Sequence, residues 1–182
     1  MASTVLYMSV SLDGFIEGTP DMPDRGFGRL HEWVFRDERP QGINGQIWDE
    51  MLSTGAVVAG RGTVEPANYW NGDHHDGVPI FILSRTRTES EYPDVAFVDD
   101  VVDLMTRAEE AAGDKNVLVH GVTVARLALA AAVLDEIELH VIPVLLGRGR
   151  RLFVDNDEQI ELERTRVLEG EGVTHVRYRV IK

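Results

Sequence analysis

Short apolar runs alternate with segments of helical periodicity along most of this chain. Residues 56–59, 79–83 and 95–98 are nearly uninterrupted apolar runs, a pattern typical of strands that are covered on both faces. Residues 101–112 have helical spacing and end at Gly113, a residue that often terminates helices. The regular alternation of strands with helices predicts an α/β fold with a doubly wound, mostly parallel sheet.

The stretch 116–153 combines these patterns in one unit. It begins with a strand at 116–120 that stops at Gly121, and Thr123 is placed to cap an alanine-rich helix at 124–134. That helix is apolar almost all round, which predicts that little of it is exposed. A second strand follows at 137–146, and the chain then turns through Gly147 and Gly149. A strand, a glycine turn and a helix start leave backbone N–H groups available to an anion.

The C-terminal residues predict an antiparallel pair of strands at 160–167 and 173–181. In the second strand, Val176, Tyr178 and Val180 alternate with polar residues. This alternation is typical of a sheet with one solvated face and places His175 and Arg177 toward solvent.

Two helices are predicted between the first strand, at 5–10, and the run at 56–59. Leu30, Trp33 and Val34 share one helical face within a long loop, so Trp33 either anchors a helix that closes the end of the sheet or belongs to a substrate lid. Asn44 is a natural N-cap for a helix that continues to Leu52. On that helix, Asp49 and Glu50 are expected on a solvated face.

Composition narrows the possible classes of protein. The 182 residues suit one domain over 1–182, and a net charge of −13 argues against nucleic acid as a partner. The absence of cysteine excludes disulfides and thiolate chemistry. There is neither a signal-peptide pattern nor an apolar run long enough for a bilayer, so the expectation is a cytoplasmic protein with no membrane partner.

Three short motifs carry candidate chemistry. Gly60-Arg61-Gly62-Thr63 follows a strand and places a threonine at a helix start, which is an anion-binding pattern. Ser84-Arg85-Thr86 follows the next strand and offers a guanidinium between two hydroxyls, a set that suits a phosphate monoester. His74-His75-Asp76 lies in a polar loop without further ligands at suitable spacing, so no metal site is predicted.

Taken together, the chain resembles the reductase domain of bacterial riboflavin biosynthesis, the C-terminal half of the bifunctional deaminase-reductase, in the dihydrofolate-reductase-like superfamily. The resemblance rests on the opening Ser11-Leu12-Asp13-Gly14, the Gly-Arg-x-Thr element at 60–63, Ser84-Arg85-Thr86, His120-Gly121, Asp135-Glu136 and PVLLGRGRRLF at 143–153. It implies a dihydrofolate-reductase-like fold with a C-terminal antiparallel pair, NADPH as cofactor, a small-molecule substrate and a homodimer.

The resemblance also implies site residues. The expected cofactor-binding residues are Ser9, Ile16, Ala59, Gly60, Arg61, Thr63, Ser84, Arg85, Thr86, His120, Gly121, Val122, Thr123 and Val124. The expected substrate-binding residues are Asp13, Gly14, Arg29, His31 and Asn44, with Asp13 also the candidate for proton relay or polarisation. In relatives the peptide at 120–121 is often cis beneath the nicotinamide; the alternative is a histidine that is hydrogen bonded at a strand end. Arg148, Arg150 and Arg151 either hold a substrate phosphate or lie in a solvated turn or dimer contact.

The implied activity is hydride transfer to 5-amino-6-(5-phosphoribosylamino)uracil or a related small heterocycle. A dihydrofolate or pteridine reductase is an alternative, although Asn44 stands where those enzymes carry an acid. A noncatalytic nucleotide-binding domain is a further alternative, and turnover distinguishes it from an enzyme.

Overall fold

The computed structural model describes residues 3–36, 38–154 and 159–182. The strands are β1 Thr4–Ser11, β2 Phe15–Glu17, β3 Ala56–Gly60, β4 Ile80–Leu83, β5 Val95–Val98, β6 Val117–His120, β7 Glu136–Ile142, β8 Arg150–Arg151, β9 Leu162–Gly170 and β10 Val173–Val180. The helices are α1 Phe27–Phe35, α2 Gly42–Leu52, α3 Arg61–Val64, α4 Val101–Ala112 and α5 Val122–Ala130. Among these described helices, none combines the length and apolar character needed to cross a membrane.

Eight strands form one sheet in the order β5-β4-β3-β6-β1-β7-β10-β9. The pairings β1–β6, β3–β6, β3–β4 and β4–β5 are parallel, whereas β10 and β9 are antiparallel. Strands β2 and β8 form a separate antiparallel pair. The predicted fold class, a mostly parallel α/β sheet with a C-terminal antiparallel pair, is confirmed.

The chain divides into two compact units. The first unit contains the residues up to Leu6, Met51–Glu136 and Lys182. Its centre is apolar on both faces of the sheet: Ala56, Val57, Val58 and Ala59 of β3 are fully buried. Continuous apolar runs of this kind are what a parallel strand covered by helices requires.

Helix α4 of the first unit is encoded locally. The Asp100 carboxylate accepts hydrogen bonds from the backbone N–H groups of Val102 and Asp103, both at 2.9 Å, and so caps the helix start. The helix ends at Gly113, whose φ of 62° favours glycine. The bounds predicted from the sequence, 101–112, are confirmed.

Helix α5 differs from its prediction. It spans Val122–Ala130, and its N-cap residue is Gly121, which has no side chain to cap the helix. Thr123 therefore lies inside the first turn instead of capping a helix at 124–134. The helix is also less covered than its composition suggests, since the Leu127 side chain is 44% exposed.

The second unit contains Tyr7–Glu50 and Ile137–Ile181. Its apolar core joins α1, α2, β7 and β10 through Leu30, Trp33, Val34, Ile47, Ile142 and Val173. Leu30 is fully buried, and complete burial of a leucine side chain stabilises by about 1.5–3 kcal/mol. Trp33 is buried as well and packs in this core.

The exposure predicted for His175 and Arg177 in β10 is wrong, whereas Arg179 is exposed and Val180 is buried as the alternation predicts. His175 is fully buried and the Arg177 side chain is only 13% exposed, whereas Val176 is half-buried. His175 and Arg177 thus point into the second unit. They can do so because acidic side chains from other elements of that unit neutralise the arginine.

Candidate functional site

The carboxyl ends of three parallel strands meet at one edge of the first unit. In the register of the sheet, Ala59 pairs with His120 of β6, and Gly60 pairs with Leu83 of β4. The residues that follow these strands are therefore neighbours. This edge gathers the predicted cofactor residues of the first unit, namely 59–61, 63, 84–86 and 120–124.

Arg61 links two of the candidate motifs directly. Its Nη1 donates to Thr86 Oγ1 at 2.9 Å, and its Nε donates to Glu65 Oε1 at 2.6 Å. The hydrogen bond and negative charge of Glu65 raise the pKa of Arg61, which stays cationic. The Gly-Arg-x-Thr and Ser-Arg-Thr motifs thus form one polar surface.

Ser84 and Arg85 have different roles in this surface. The Ser84 hydroxyl is buried and accepts hydrogen bonds from the N–H groups of Thr86 and Arg87, which fixes the turn. Arg85 is exposed, and it forms no ion pair within the part of the chain that the structure describes. Its guanidinium is available to an anionic ligand.

Gly121 brings the β6–α5 turn against α3. Its φ is 93°, and an added Cβ would lie 2.5 Å from Thr63 Oγ1. The peptide between His120 and Gly121 is trans. Helix α3 is a single turn with Gly60 as N-cap and no side-chain cap, so Thr63 does not cap a helix as the sequence predicts. In both turns a glycine is the N-cap residue and the threonine lies inside the helix.

The two histidines of the 65–78 loop contact each other. Their Nδ1 atoms lie 2.7 Å apart, and His75 Nε2 lies 3.3 Å from Thr54 Oγ1. Burial, with smaller contributions from His120 and His75, lowers the pKa of His74 to about 3. His74 is therefore neutral at physiological pH.

Asp13 in the second unit anchors a turn. Its Oδ1 accepts hydrogen bonds from Ser11 Oγ at 2.6 Å and Leu146 N at 3.1 Å, and its Oδ2 accepts from Gly147 N at 2.7 Å. These bonds, that of Ser11 above all, lower the pKa of Asp13. The group is therefore a carboxylate at neutral pH, which suits polarisation better than proton donation.

The second unit also contains residues expected to bind the cofactor, Ser9 and Ile16, or the substrate, Gly14, Arg29 and His31, and several of them have protein partners. Ser9 Oγ accepts a hydrogen bond from Trp33 Nε1 at 2.9 Å. Arg29 pairs with Glu32, and the His31 ring stacks on Phe27 with centroids 4.1 Å apart. Gly14 and Ile16 flank the start of β2, at the turn that Asp13 holds.

The three arginines of the 148–151 turn lie against residues 13–21. Arg148 pairs with Asp21 at 2.5 Å, and Arg151 Nη1 donates to the Asp13 carbonyl at 3.0 Å while its guanidinium lies over the Phe15 ring. The backbone of Arg150 lies opposite that of Glu17 in the register of the antiparallel β2–β8 pair. These contacts hold the turn against the first loop of the second unit.

Asn44 is not an N-cap. Helix α2 begins at Gly42, and Asn44 is buried in its first turn. The Asn44 side chain donates to the carbonyls of Trp33 and Glu171 at 3.3 and 3.2 Å, and its Oδ1 lies 3.2 Å from His175 Nε2. The amide that was expected to bind substrate is thus committed to the interior of the second unit.

Sequence reasoning missed a buried polar cluster in the second unit. Its members are side chains from β1, α2, β7, β9 and β10: Tyr7, Glu50, Glu138, His140, Arg166, His175 and Arg177. Glu138 Oε2 accepts from Arg177 Nε at 2.6 Å and from Arg166 Nη2 at 2.9 Å. Glu50 also contacts both arginines, so the prediction that it is solvated is wrong, whereas Asp49 is exposed as expected.

Electrostatic effects in the buried polar cluster oppose one another. Burial raises the pKa of Glu138, and the two arginines offset only part of that effect. Burial, followed by repulsion from Arg166, lowers the pKa of His175 to about 4. The sequence did contain a signal: Glu138, His140 and Ile142 alternate along β7 and therefore share one face with a core residue.

Comparisons with known proteins identify relatives of the whole chain. The family described as the RibD C-terminal domain matches residues 3–176. The uncharacterised protein YyaP of Bacillus subtilis (strain 168) is 24% identical over 169 residues, which cover 87% of this chain and 84% of YyaP.

Solved structures with the same fold include two from different functional classes. A protein of Shewanella sp. PV-4 assigned to riboflavin biosynthesis has a TM-score of 0.77 at 22% identity, covering 99% of both chains. Dihydrofolate reductase from Enterococcus faecalis, complexed with NADP(H), has a TM-score of 0.65 at 12% identity, covering 99% of this chain and 97% of that one.

Proposed function

Since the chain belongs to the RibD C-terminal domain family, we propose that it is an NADPH-dependent reductase that transfers hydride to a small heterocyclic substrate. The edge of the first unit described above supports this proposal. The glycines at 60 and 121 would allow the cofactor to approach the backbone closely. The arginines beside them supply positive charge in a protein of net charge −13. Bound NADPH would supply the hydride, and the chain would bind and orient it.

The observation that carries the cofactor preference is Arg85 beside the Arg61–Thr86 hydrogen bond. The Arg85 guanidinium is exposed and has no ion pair within the described residues, and a hydroxyl and a second arginine lie next to it. This arrangement suits the 2′-phosphate that distinguishes NADPH from NADH. We therefore propose Arg85 as the residue that selects NADPH.

Binding of NADPH and NADH to wild type and Arg85→Ala, measured by calorimetry, tests this. Charge-assisted hydrogen bonds contribute about 1.5–3 kcal/mol, so NADPH affinity should fall about 10- to 150-fold in Arg85→Ala while NADH affinity changes little. Arg107→Ala is the matched control because it removes an equal charge from the same unit, where Arg107 pairs with Asp103. Equal losses for both cofactors would refute the assignment.

A pyrimidine substrate agrees with the site better than a pteridine. Dihydrofolate reductases need an acid at the position of Asn44, and here that side chain is an amide whose groups are bonded to the protein. We propose a ribosylaminopyrimidine phosphate or a similar compound as substrate. NADPH oxidation should occur with such a compound and not with dihydrofolate, and binding without any turnover would instead support a noncatalytic nucleotide-binding domain.

We also propose that the protein forms a homodimer through its edge strand. Strand β9 lies at the edge of the sheet, and it exposes Leu162 by 40% and Val167 by 50%. Open strand edges that carry apolar residues tend to pair with another chain. Sedimentation of wild type and Val167→Lys tests this, since the substitution should shift the protein toward monomer.

A further inference from the structure

We propose that Glu138, His140 and His175 form a binding site for a divalent transition-metal ion such as Zn²⁺. Each residue offers one ligand atom, and these atoms all lie within 4.8 Å of one another. The relative exposures of the three side chains are 0%, 3% and 0%. Among the described residues, no other group of three or more such side chains brings its ligand atoms together in this way.

The spacing of the ligand atoms fits coordination. The two Nδ1 atoms lie 2.9 Å apart, which corresponds to an angle of about 90° at a metal with bonds of about 2.0–2.1 Å. In a tetrahedral site with bonds of that length the ligand atoms lie about 3.4 Å apart. All three ligand atoms lie within 4.8 Å of one another, so rotation of a side chain would bring them to coordination distance.

The surroundings orient the histidines as ligands. Asn44 donates both protons of its amide to backbone carbonyls, so its Oδ1 accepts from His175 Nε2 at 3.2 Å. That hydrogen bond places the His175 proton on Nε2 and leaves a lone pair on Nδ1, as metal-binding imidazoles require. Trp33 packs against both rings, with centroid distances of 4.5 Å to His140 and 4.9 Å to His175.

Glu138 supplies the second, independent observation. Its Oε2 is bonded to Arg166 and Arg177, while its Oε1 is buried and has no hydrogen-bond partner in the described structure. A buried carboxylate oxygen without a partner is costly, and a cation would provide the missing interaction.

The charges of the cluster determine which cation is favoured. Glu50 and Glu138 balance Arg166 and Arg177, so the four ionised groups contribute no net charge. Attraction to a hard cation is therefore weak, and selectivity comes from the two imidazoles, which suit Zn²⁺ or Co²⁺ better than Mg²⁺ or Ca²⁺. A bound ion would fasten β7 to β10 and stabilise the second unit, independently of any cofactor in the first.

The test is titration of the chelator-treated full chain with ZnCl₂, followed by calorimetry, and with CoCl₂, followed by visible absorption. Wild type should bind one ion, and Co²⁺ should show the spectrum of a nitrogen- and oxygen-ligated site. Removal of a group that only orients a ligand lowers metal affinity by about 10- to 100-fold. Since His175 and Glu138 are themselves the proposed ligands, His175→Gln and Glu138→Gln should each lower the affinity by about 100-fold or more. His74→Gln is the matched control, because it removes a histidine from the other histidine pair and should bind like wild type.

A measurement on wild type alone guards against unstable variants. Histidine-ring NMR signals of His140 and His175 should shift when Zn²⁺ is added, whereas those of His74 and His75 should not. The proposal is overturned by absence of binding to wild type, by unchanged affinity in folded His175→Gln, or by shifts confined to His74 and His75.

Discussion

Gly121→Ala tests whether the close contact between the β6–α5 turn and α3 shapes the first unit. An alanine there must adopt a φ of 93°, and its Cβ would lie 2.5 Å from Thr63 Oγ1. The strained backbone costs about 1–3 kcal/mol, and overpacking costs about 1–3 kcal/mol more. The free energy of unfolding should therefore fall by about 2–6 kcal/mol.

Gly113→Ala separates these two contributions. Gly113 also has a positive φ, 62°, but an added Cβ would meet no atom within 4 Å. This control should lose only the backbone contribution, about 1–3 kcal/mol. Urea denaturation of both variants, followed by circular dichroism, provides the comparison.

Thr63→Ala provides a rescue. It removes Oγ1, and the remaining Thr63 Cβ is 3.7 Å from the added atom, an ordinary contact. The double variant should therefore recover about 1–3 kcal/mol relative to the sum of the single losses. The reasoning is refuted if Gly121→Ala is no less stable than Gly113→Ala, or if the losses in the double variant are additive.

Two further predictions concern the buried polar cluster. The pKa of His175 is about 4 in the folded chain and about 6.5 when unfolded, so only the unfolded state binds a proton between these values. The contribution of His175 to the free energy of unfolding should therefore be constant above pH 6.5 and should fall by about 1.4 kcal/mol per pH unit toward pH 4, about 3 kcal/mol in total. His175→Gln should flatten this part of the pH profile, and an unchanged slope would contradict the assignment. Arg177→Met leaves Glu138 with one fewer cation and should cost about 3–5 kcal/mol in urea denaturation, whereas Arg179→Met breaks only an exposed pair and should cost about 1 kcal/mol or less. Similar losses in the two arginine variants would show that burial of the cluster contributes little.

Local signals explain what could be predicted from the sequence. The prediction of helix α4 agrees with the structure because its helical spacing and its terminator, Gly113, are local features of the chain. The apolar runs at 56–59 and 79–83 predicted buried strands, and parallel pairing then places the residues that follow them at one edge. For this reason the surface around Arg61 and Thr86 could be anticipated, although their hydrogen bond could not.

Thr63, Thr123 and Asn44 failed as helix caps because each helix begins before the predicted cap residue. The failed predictions about buried polar side chains instead involve partners distant in sequence. Asp13 has the signature of an ordinary turn residue, yet its carboxylate is held by N–H groups 133 and 134 residues further along the chain. His175 and Arg177 alternate with apolar residues as solvated side chains do, and they point inward because Glu50, Glu138 and Asn44 are there to meet them. The main strands of the eight-stranded sheet and helix α4 follow from the sequence alone, because these elements depend on the periodicity of neighbouring residues. Which polar groups are buried depends on the complete fold, because the cost of burying a charge depends on the partners that the fold brings to it.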